Sequence, residues 1–403
     1  MTRLRLAIVV QRYGEEVNGG AELHARWVAE HLAETAEVIV ITTCAIDFMT
    51  WADHYPPGES VLNGVTVHRF PVDAPRDWVA LQKQTGRLMI ERHTLFDEIQ
   101  WLKDSGPYST PLLEYIHKVY ADFDFFFFYT YHYATAFFGM PLVSDKAIFV
   151  PTAHDDPYIR LPVFRALFHL PRAIVYLSEP EKRLVQNLTQ NNSRPSTVVG
   201  IGLEKCVDAS AERFRQTYGI EGDFLLYVGR IHSSKNVPQL FDYFLRFLEQ
   251  YEGQLQLVLV GKSHLDLPGD PSIVHLGFVS EQDKYDALQA TKVTLMPSLY
   301  ESLSMIVLES WLMGTPVLVN GRCEVLKYQC QQSNGGLYYT SYEEFELALN
   351  YLLDPENPSQ QLGQQGFQFV KDNYAWDIVL SKFERLLENL RSEIKVPLEK
   401  SGF

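Results

Sequence analysis

The chain has 403 residues, of which 46% are hydrophobic and 21% charged, a composition typical of a globular protein with two or three domains. The net charge of −15 weighs against nucleic-acid binding, which requires a basic face. It also disfavours tight binding to anionic lipid surfaces, and leaves peripheral membrane contact open only through a local basic patch.

Membrane-spanning and secreted classes are also disfavoured. No apolar run approaches the roughly 20 residues that a helix needs to cross a bilayer. Residues 6–10 are predicted to form the first strand rather than the core of a secretion signal, because polar residues follow at once. A cytoplasmic protein is therefore expected. The four cysteines show no Cys-x-x-Cys spacing, so neither a zinc site nor a disulfide framework is predicted for Cys44, Cys206, Cys323 and Cys330.

The amino-terminal half begins with a predicted strand at 4–10, a glycine-containing loop, a helix at 21–33 and a second strand at 37–42. This β-α-β unit predicts an α/β fold with a parallel sheet. Further apolar runs predict strands at 65–70, 125–129, 146–150, 173–177 and 197–199. The stretch between Asp73 and Tyr120 is predicted to be helical.

The aromatic run at 125–128 could suggest a membrane or stacking role. A short run of this kind is more typical of a central buried strand. The preceding Asp122-Phe123-Asp124 matches a metal-binding Asp-x-Asp pattern found in another glycosyltransferase architecture. It comes before the strand rather than after it, so we interpret it as the turn that starts the strand.

A second α/β series begins in the middle of the chain, with predicted strands at 224–229, 255–260, 273–276, 293–296 and 316–319. These runs are apolar without alternation, as in sheets that are covered on both faces. The two series are joined near Gly200-Ile201-Gly202. A last helix at 376–394 carries an apolar stripe. The predicted domains are residues 1–200, residues 201–375, and a carboxyl-terminal helix and tail at 376–403.

The most informative segment runs from Tyr300 to Glu309. It follows a predicted strand and places Glu301 in a loop, a serine-rich turn after it, and Glu309 inside an apolar helix. The amides of Ser304, Met305 and Ile306 would then form a helix N-terminus, which is suited to binding phosphate. Two carboxylates flanking such a site suit a ligand with a central diphosphate and hydroxyls at both ends. A nucleotide sugar has this form.

A structural explanation of the two glutamates is also open. Glu301 could cap the helix and Glu309 could be an ordinary solvated helix residue. A hydrolytic pair is disfavoured, because eight helical residues rise about 12 Å. Hydrolytic carboxylates lie roughly 5 to 9.5 Å apart across one bond. If Glu301 and Glu309 act, they act on different parts of one ligand.

Two cations follow the first strand of the second series, Arg230 directly after Gly229, and Lys235. Ligands of open α/β sheets bind at the carboxyl ends of the strands, where these residues are predicted to lie. The alternative is a pair of solvated loop cations. The presence of the Glu301–Glu309 segment on the same predicted sheet favours a binding role.

The first series contributes weaker candidates. Gly19 and Gly20 open its first helix, where glycine lets backbone amides approach a phosphate or sugar closely. No Gly-x-Gly-x-x-Gly pattern follows the strand, so a dinucleotide fingerprint is missing. His154 lies at a strand end followed by two aspartates, a spacing unlike that of metal ligands. It could be structural, and His132 is a weaker candidate that is expected to pack locally.

These residues occur in an order that resembles family 4 glycosyltransferases, retaining enzymes of the GT-B fold. The resemblance rests on Gly19-Gly20-Ala21-Glu22, His154, Arg230 with Lys235, the Glu301–Glu309 spacing, and Tyr374-Ala375-Trp376. It implies two Rossmann-like domains facing a cleft, with acceptor mostly on the first and nucleotide-sugar donor on the second. It also implies a last helix that crosses back to the first domain.

The resemblance further implies roles for individual residues. Arg230 and Lys235 would hold the diphosphate, with Gly229 ending the strand before them, and Glu309 would bind the ribose hydroxyls. Glu301 and the amides of Met305 and Ile306 would hold the transferred sugar and its phosphate. His154 would contact the donor sugar, and Gly20 would approach the phosphate or the acceptor. Ser304 departs from the family, which usually has glycine there, and so does Gly200-Ile201-Gly202-Leu203-Glu204, where the family often has Asn-Gly-Val-Asp.

The expected activity is transfer of a hexose-type sugar from a UDP-sugar or GDP-sugar to a sugar, lipid or small-molecule acceptor, with retention of anomeric configuration. Because protein cations lie where a divalent ion acts in other transferases, no cofactor and no obligatory metal are expected. Three alternatives remain: a dehydrogenase, which lacks its glycine fingerprint, a nucleotide-sugar epimerase, and a non-catalytic partner of another transferase.

Overall fold

The computed structural model of the protein describes residues 3–204 and 208–394. The chain forms two compact units, the first made of the chain up to Ile201 and from Val379 onwards, the second of Gly202–Ile378. Each unit contains a largely parallel sheet with helices between its strands, so the predicted α/β class is confirmed. Cys206 lies outside the described residues, and Cys44, Cys323 and Cys330 are free and buried.

Within the described residues, the first unit has an eight-stranded sheet in the order β3-β4-β2-β1-β5-β6-β7-β8. Its elements are β1 (Arg5–Val9), α1 (Gly20–Leu32), β2 (Glu37–Thr43), β3 (Gly58–Leu62), β4 (Val65–Phe70), α2 (Trp78–Ile90), α3 (Leu95–Ser105), α4 (Thr110–Lys118), β5 (Phe125–Tyr129), α5 (Ala134–Gly139), β6 (Ala147–Val150), α6 (Pro162–Leu167), β7 (Ala173–Tyr176), α7 (Glu179–Thr189) and β8 (Ser196–Val198). Neighbouring strands are parallel except β3 and β4.

The described part of the second unit has a six-stranded parallel sheet in the order β11-β10-β9-β12-β13-β14. Its elements are α8 (Ala211–Tyr218), β9 (Asp223–Val228), α9 (Val237–Leu248), β10 (Leu255–Val260), β11 (Ile273–Gly277), α10 (Glu281–Ala290), β12 (Val293–Met296), α11 (Met305–Leu312), β13 (Val317–Asn320), α12 (Glu324–Ser333), β14 (Gly336–Tyr339), α13 (Tyr342–Leu353) and α14 (Ser359–Asn373). The last helix is α15 (Trp376–Ile394).

The apolar strands are buried on both faces. In β9, Leu225 and Tyr227 point into one hydrophobic cluster, whereas Phe224 and Leu226 point into another on the opposite face. The phenylalanine strand β5 is fully buried between β1 and β6, as its sequence predicted. Uninterrupted apolar runs thus mark strands in the middle of a covered sheet.

Both sheets have a topological switch point. From β9 the chain proceeds outward to β10 and β11 on one side, and then returns to form β12 on the other side. In the first unit the corresponding reversal lies between β1 and β5. The carboxyl ends of strands that flank a switch point form a crevice in which ligands of α/β proteins bind.

Two strands were not predicted, and each has an identifiable reason. The edge strand β3 is exposed and pairs antiparallel with β4, so it carries little apolar signal. Asn63-Gly64 connects β3 to β4 with positive φ at both residues, 48° and 80°. Asn-Gly is a strong hairpin signal that could have located the edge strand. The strand β14 has only four residues.

The last helix carries the chain from the second unit to the first. From Val379 onwards it packs on the first unit, where Phe383 lies against Phe127 with ring centroids 6.1 Å apart. Lys382 Nζ donates to the carbonyl oxygen of Val199 at 3.3 Å. The apolar stripe predicted for this helix is buried as far as Leu390.

Close packing of α14 fixes the position of α11. A Cβ atom on Gly363 would collide with the carbonyl oxygen of Gly314, directly after α11. The ring of Trp311 in α11 lies where a Cβ atom on Gly366 would be. Trp311 also donates from Nε1 to the Gly335 carbonyl oxygen at 2.7 Å. Small residues on α14 therefore allow backbone-to-backbone approach behind α11.

We predict that Gly363→Ala destabilises the second unit by about 1–3 kcal/mol, because the added methyl group overpacks a rigid contact. The matched control is Gly86→Ala in α2, where an added Cβ atom has nothing within 4 Å. This control should be neutral or stabilising by about 0.5–1 kcal/mol, because alanine is the better helix former. Thermal unfolding of both variants checks the difference. Equal melting temperatures for the two variants would contradict the proposed packing.

Candidate functional site

The structure brings Lys235 and Glu301 together at the switch point of the second unit. Lys235 ends a short turn after β9, and Glu301 lies in the loop after the neighbouring strand β12. Lys235 Nζ and Glu301 Oε1 are 2.7 Å apart, and the two side chains are 27% and 13% exposed. A partly exposed ion pair therefore lies where the sheet topology places a ligand crevice.

Glu301 does not cap helix α11. Ser304 occupies the N-cap position and makes no side-chain capping bond. The first amides of an α-helix have no acceptor within the helix, so Met305 and Ile306 present donors at its positive end. Ser304 has φ −95° and ψ 103°, an extended conformation that any residue adopts. Replacing the usual glycine by serine thus costs no backbone strain.

Two asparagines hold the loop that carries Glu301. Asn236 and Asn320 both donate from Nδ2 to the carbonyl oxygen of Pro297, at 3.2 and 3.0 Å. They follow β9 and end β13, so one carbonyl group joins the ends of three strands. The sequence analysis assigned these asparagines no role. A polar amide at the end of an apolar strand is the signal that could have identified them.

Glu309 is 1% exposed, so its interpretation as a solvated helix residue is wrong. Its Oε1 atom accepts a hydrogen bond from Lys284 Nζ at 2.9 Å. Its Oε2 atom is buried and has no hydrogen-bond partner among the described residues. Burial raises the pKa of Glu309, and the neighbouring Lys284 ammonium opposes that increase.

Arg230 lies at the same sheet edge. The Tyr227 hydroxyl donates to the Arg230 carbonyl oxygen at 2.8 Å, and the side chain of Arg230 is exposed. Gly229 has φ 149°, in the range that favours glycine. A Cβ atom on Gly261 would collide with the Gly229 carbonyl oxygen, so β9 and β10 end in close backbone contact. The role of Arg230 toward phosphate remains a prediction.

In the first unit, Gly20 begins α1 and Gly19 is its N-cap, again without a side-chain capping bond. A Cβ atom on Gly19 would strike the ion pair of Arg12 and Glu22, so packing alone explains this glycine. A Cβ atom on Gly20 would have nothing within 4 Å. Packing therefore does not require glycine at position 20, where a close ligand remains the predicted reason.

His154 follows β6 and lies beside a buried carboxylate. Its Nε2 atom is 3.1 Å from Asp156 Oδ2, and the His154 side chain is 27% exposed. The Tyr131 hydroxyl also donates to Asp156, at 2.8 Å. Asp156 thus orients the histidine, a role that the sequence analysis did not assign. His132 packs between the rings of Tyr131 and Tyr133, as expected, and burial lowers its pKa to about 4.

Asp124 starts β5 rather than binding metal, because its Oδ2 atom accepts the backbone amide of Arg5 at 2.8 Å. In the described part of the chain, no group of three or more His, Cys, Asp or Glu side chains is arranged to hold a metal ion. Independence of metal remains a prediction. None of the helices between residues 3 and 394 combines the length and apolar composition that a bilayer crossing requires.

Comparisons with known proteins agree with this geometry. Residues 210–369 match the family described as Glycosyl transferases group 1. Over 401 residues, the chain is 20% identical to an uncharacterised glycosyltransferase of Methanocaldococcus jannaschii, covering 93% of this chain and 95% of that protein. It is 23% identical to mannosylfructose-phosphate synthase of Agrobacterium fabrum over 203 residues, 45% of this chain and 44% of that protein.

Two solved structures show the fold. Sucrose-phosphate synthase of Thermosynechococcus elongatus superposes with a TM-score of 0.73 at 14% identity, over 97% of this chain and all of that chain. Anabaena HepE in complex with UDP and glucose superposes with a TM-score of 0.66 at 14% identity, over the same shares. The predicted GT-B fold is confirmed. The comparisons indicate a glycosyltransferase with a group 1 domain, whereas assignment to family 4 remains a prediction.

Buried His24 gives the first unit a pH-dependent stability. It lies in α1, with Nδ1 3.1 Å from the Tyr129 hydroxyl and Nε2 2.9 Å from the Gly200 carbonyl oxygen. Burial lowers the pKa of His24 to about 4. Below its ordinary pKa near 6.5, the unfolded chain binds a proton that the folded chain does not, so stability falls as the pH drops toward 4.

We predict that His24 contributes a loss of about 2 kcal/mol between pH 7 and pH 5. His24→Gln should therefore lose less stability over this interval than the unsubstituted protein. The control is His117→Gln, at an exposed histidine of α4. Urea unfolding at both pH values measures the differences. An identical pH dependence in all three proteins would show that His24 is not neutral in the folded state.

Proposed function

We propose that the protein transfers a hexose-type sugar from a nucleoside-diphosphate sugar to an acceptor hydroxyl, with retention of configuration and without an obligatory metal ion. The observation that carries this proposal is the Lys235–Glu301 contact of 2.7 Å at the switch point of the second unit. It lies at the end of the sheet from which α11 begins. The neighbour described with UDP and glucose supports a UDP-sugar donor, and a GDP-sugar is the alternative.

The proposed mechanism follows from charge. Cleavage of the bond between the anomeric carbon and oxygen leaves a nucleoside diphosphate, so negative charge increases on its β-phosphate. A lysine ammonium has three donor hydrogens, and Lys235 can donate to phosphate while it retains Glu301. The amides of Met305 and Ile306 add a positive helix end. Preorganised donors of this kind commonly provide the largest part of catalysis.

Both carboxylates of the donor set are proposed to bind rather than to attack. Glu301 is held by Lys235 and would accept hydroxyl groups of the transferred sugar. Glu309 is held by Lys284 and would accept those of the ribose. With no nucleophile assigned among the described residues, the acceptor would attack from the face that the phosphate leaves, with the phosphate as base. This geometry would retain the anomeric configuration.

The acceptor belongs to the less defined part of the proposal. We assign its specificity to the helical stretch between Asp73 and Tyr120, which forms α2, α3 and α4 in the first unit. Two relatives have names that print a sugar phosphate as product, which favours a sugar over a lipid. His154 and Gly20 keep the roles that the family resemblance implies for them.

The first test of this function is substitution of the ion pair. Lys235→Ala and Glu301→Ala should each lower the transfer rate by about 10²-fold or more, the usual effect of removing a group that stabilises developing charge. Lys371→Ala, an exposed lysine of α14, is the charge-matched control and should keep the full rate. The assay is nucleotide release from a panel of UDP-sugars and GDP-sugars, with melting temperatures to verify folding.

Two outcomes of this experiment contradict the proposal. Full activity of Lys235→Ala and Glu301→Ala would place the chemistry elsewhere in the protein. Absence of binding to both UDP and GDP in isothermal titration of the unsubstituted protein would favour a non-catalytic partner of another transferase.

The second test addresses metal and stereochemistry. Protein treated with EDTA should transfer sugar at the same rate as untreated protein, because protein cations replace the divalent ion. Proton NMR of the first product formed should show the anomeric configuration of the donor. Activity that disappears with EDTA and returns with Mg²⁺ contradicts metal independence, and an inverted product contradicts retention.

A further inference from the structure

A buried ion pair connects helices α10 and α11 beneath the proposed donor site. Lys284 is 8% exposed and Glu309 is 1% exposed, and their Nζ and Oε1 atoms are 2.9 Å apart. Lys284 also contacts Glu281 at 2.9 Å, but that glutamate is 69% exposed. The Tyr285 hydroxyl lies 3.4 Å from Glu309 Oε1. The described contacts of Glu309 therefore concentrate on one of its two oxygen atoms.

The other oxygen atom of Glu309 is the unusual feature. Oε2 is buried without a hydrogen-bond partner in the described structure. A buried carboxylate oxygen without a donor is costly, and such groups in native proteins commonly bind a ligand, an ion or water. A donor from a bound molecule would satisfy it. The proposed function supplies such a donor in the hydroxyl groups of a nucleotide ribose.

We propose that Lys284 is a positioning residue for the sugar nucleotide: it holds Glu309 ionised and oriented so that Oε2 accepts a hydrogen bond from the ribose 2′-hydroxyl. This inference rests on the proposed function. Lys284 does not touch the nucleotide in this arrangement and acts only through Glu309. The enzyme would thereby distinguish ribonucleotides from 2′-deoxyribonucleotides.

The charges of the pair support this arrangement. Burial alone would lower the pKa of Lys284, but the carboxylates of Glu309 and Glu281 outweigh burial, so the pKa of Lys284 is raised. Lys284 therefore remains a cation at neutral pH. A cation bound to Oε1 fixes the carboxylate plane and leaves Oε2 as the atom available to a ligand.

A purely structural role explains less. Buried ion pairs add little net stability, and an apolar pair of similar volume would join α10 and α11 as well or better. The structural explanation also leaves Glu309 Oε2 unsatisfied. A ligand-directed role accounts for the buried charge, its lysine partner and the unpaired oxygen together.

The experiment measures the dissociation constants of UDP, GDP and their 2′-deoxy counterparts by isothermal titration. The unsubstituted protein should bind the preferred ribonucleotide about 10-fold more tightly than its 2′-deoxy form, the usual effect of one hydrogen bond to a charged group. In Lys284→Met this ratio should fall close to one. Lys292→Met is the control, because Lys292 pairs with Asp223 on the exposed surface, and it should keep the full ratio.

A double substitution tests whether Lys284 acts through Glu309. Glu309→Gln alone should abolish the ribose discrimination, and adding Lys284→Met should weaken nucleotide binding no further. Because Lys284→Met leaves a buried carboxylate unpaired, Lys284→Gln serves as a second neutral variant that retains one hydrogen-bond donor. It should lower the ratio in the same direction.

The outcomes separate this inference from the proposed function. Binding of neither nucleotide to the unsubstituted protein overturns both. Equal binding of ribonucleotide and 2′-deoxyribonucleotide, or an unchanged ratio in the Lys284 variants, overturns only the inference. A further loss of affinity in the double variant relative to Glu309→Gln would show that Lys284 acts directly on the ligand, which also overturns it.

Discussion

The contact between Lys235 and Glu301 is the interaction on which this account of the second unit depends. It joins loops that follow two neighbouring parallel strands, β9 and β12, at the point where the strand order reverses. The topology alone would provide a crevice there. The ion pair gives the crevice a cation directed at one part of a ligand and a carboxylate directed at another.

The surrounding structure keeps this pair in place. Buried apolar strands provide a rigid sheet, and the carbonyl group of Pro297 is held by asparagines from two neighbouring strand ends. Glycines on α14 allow close packing behind α11, which sets the position of its N-terminus. Charge at the site is therefore local. A protein with a net charge of −15 can present a cationic phosphate site, because a few fixed groups act at short range.

The sequence predicted the parts that depend on local pattern. Apolar runs located the strands of both sheets apart from β3 and β14, and the spacing from Tyr300 to Glu309 predicted a strand, a loop and a helix start. Pairing across the fold was less accessible. Lys284 lies three residues after Glu281 and resembles one half of a surface helical pair, yet it is buried against Glu309. Asp156 follows another aspartate, and only the fold shows that it orients His154.

The most direct test is a crystal structure of the protein with bound UDP or GDP. The account predicts a β-phosphate oxygen about 3 Å from the amide nitrogen of Met305 or Ile306, with Lys235 Nζ at hydrogen-bond distance from the diphosphate. A nucleotide bound away from the ends of β9 and β12, with Lys235 and Glu301 remote from its phosphates, would contradict it.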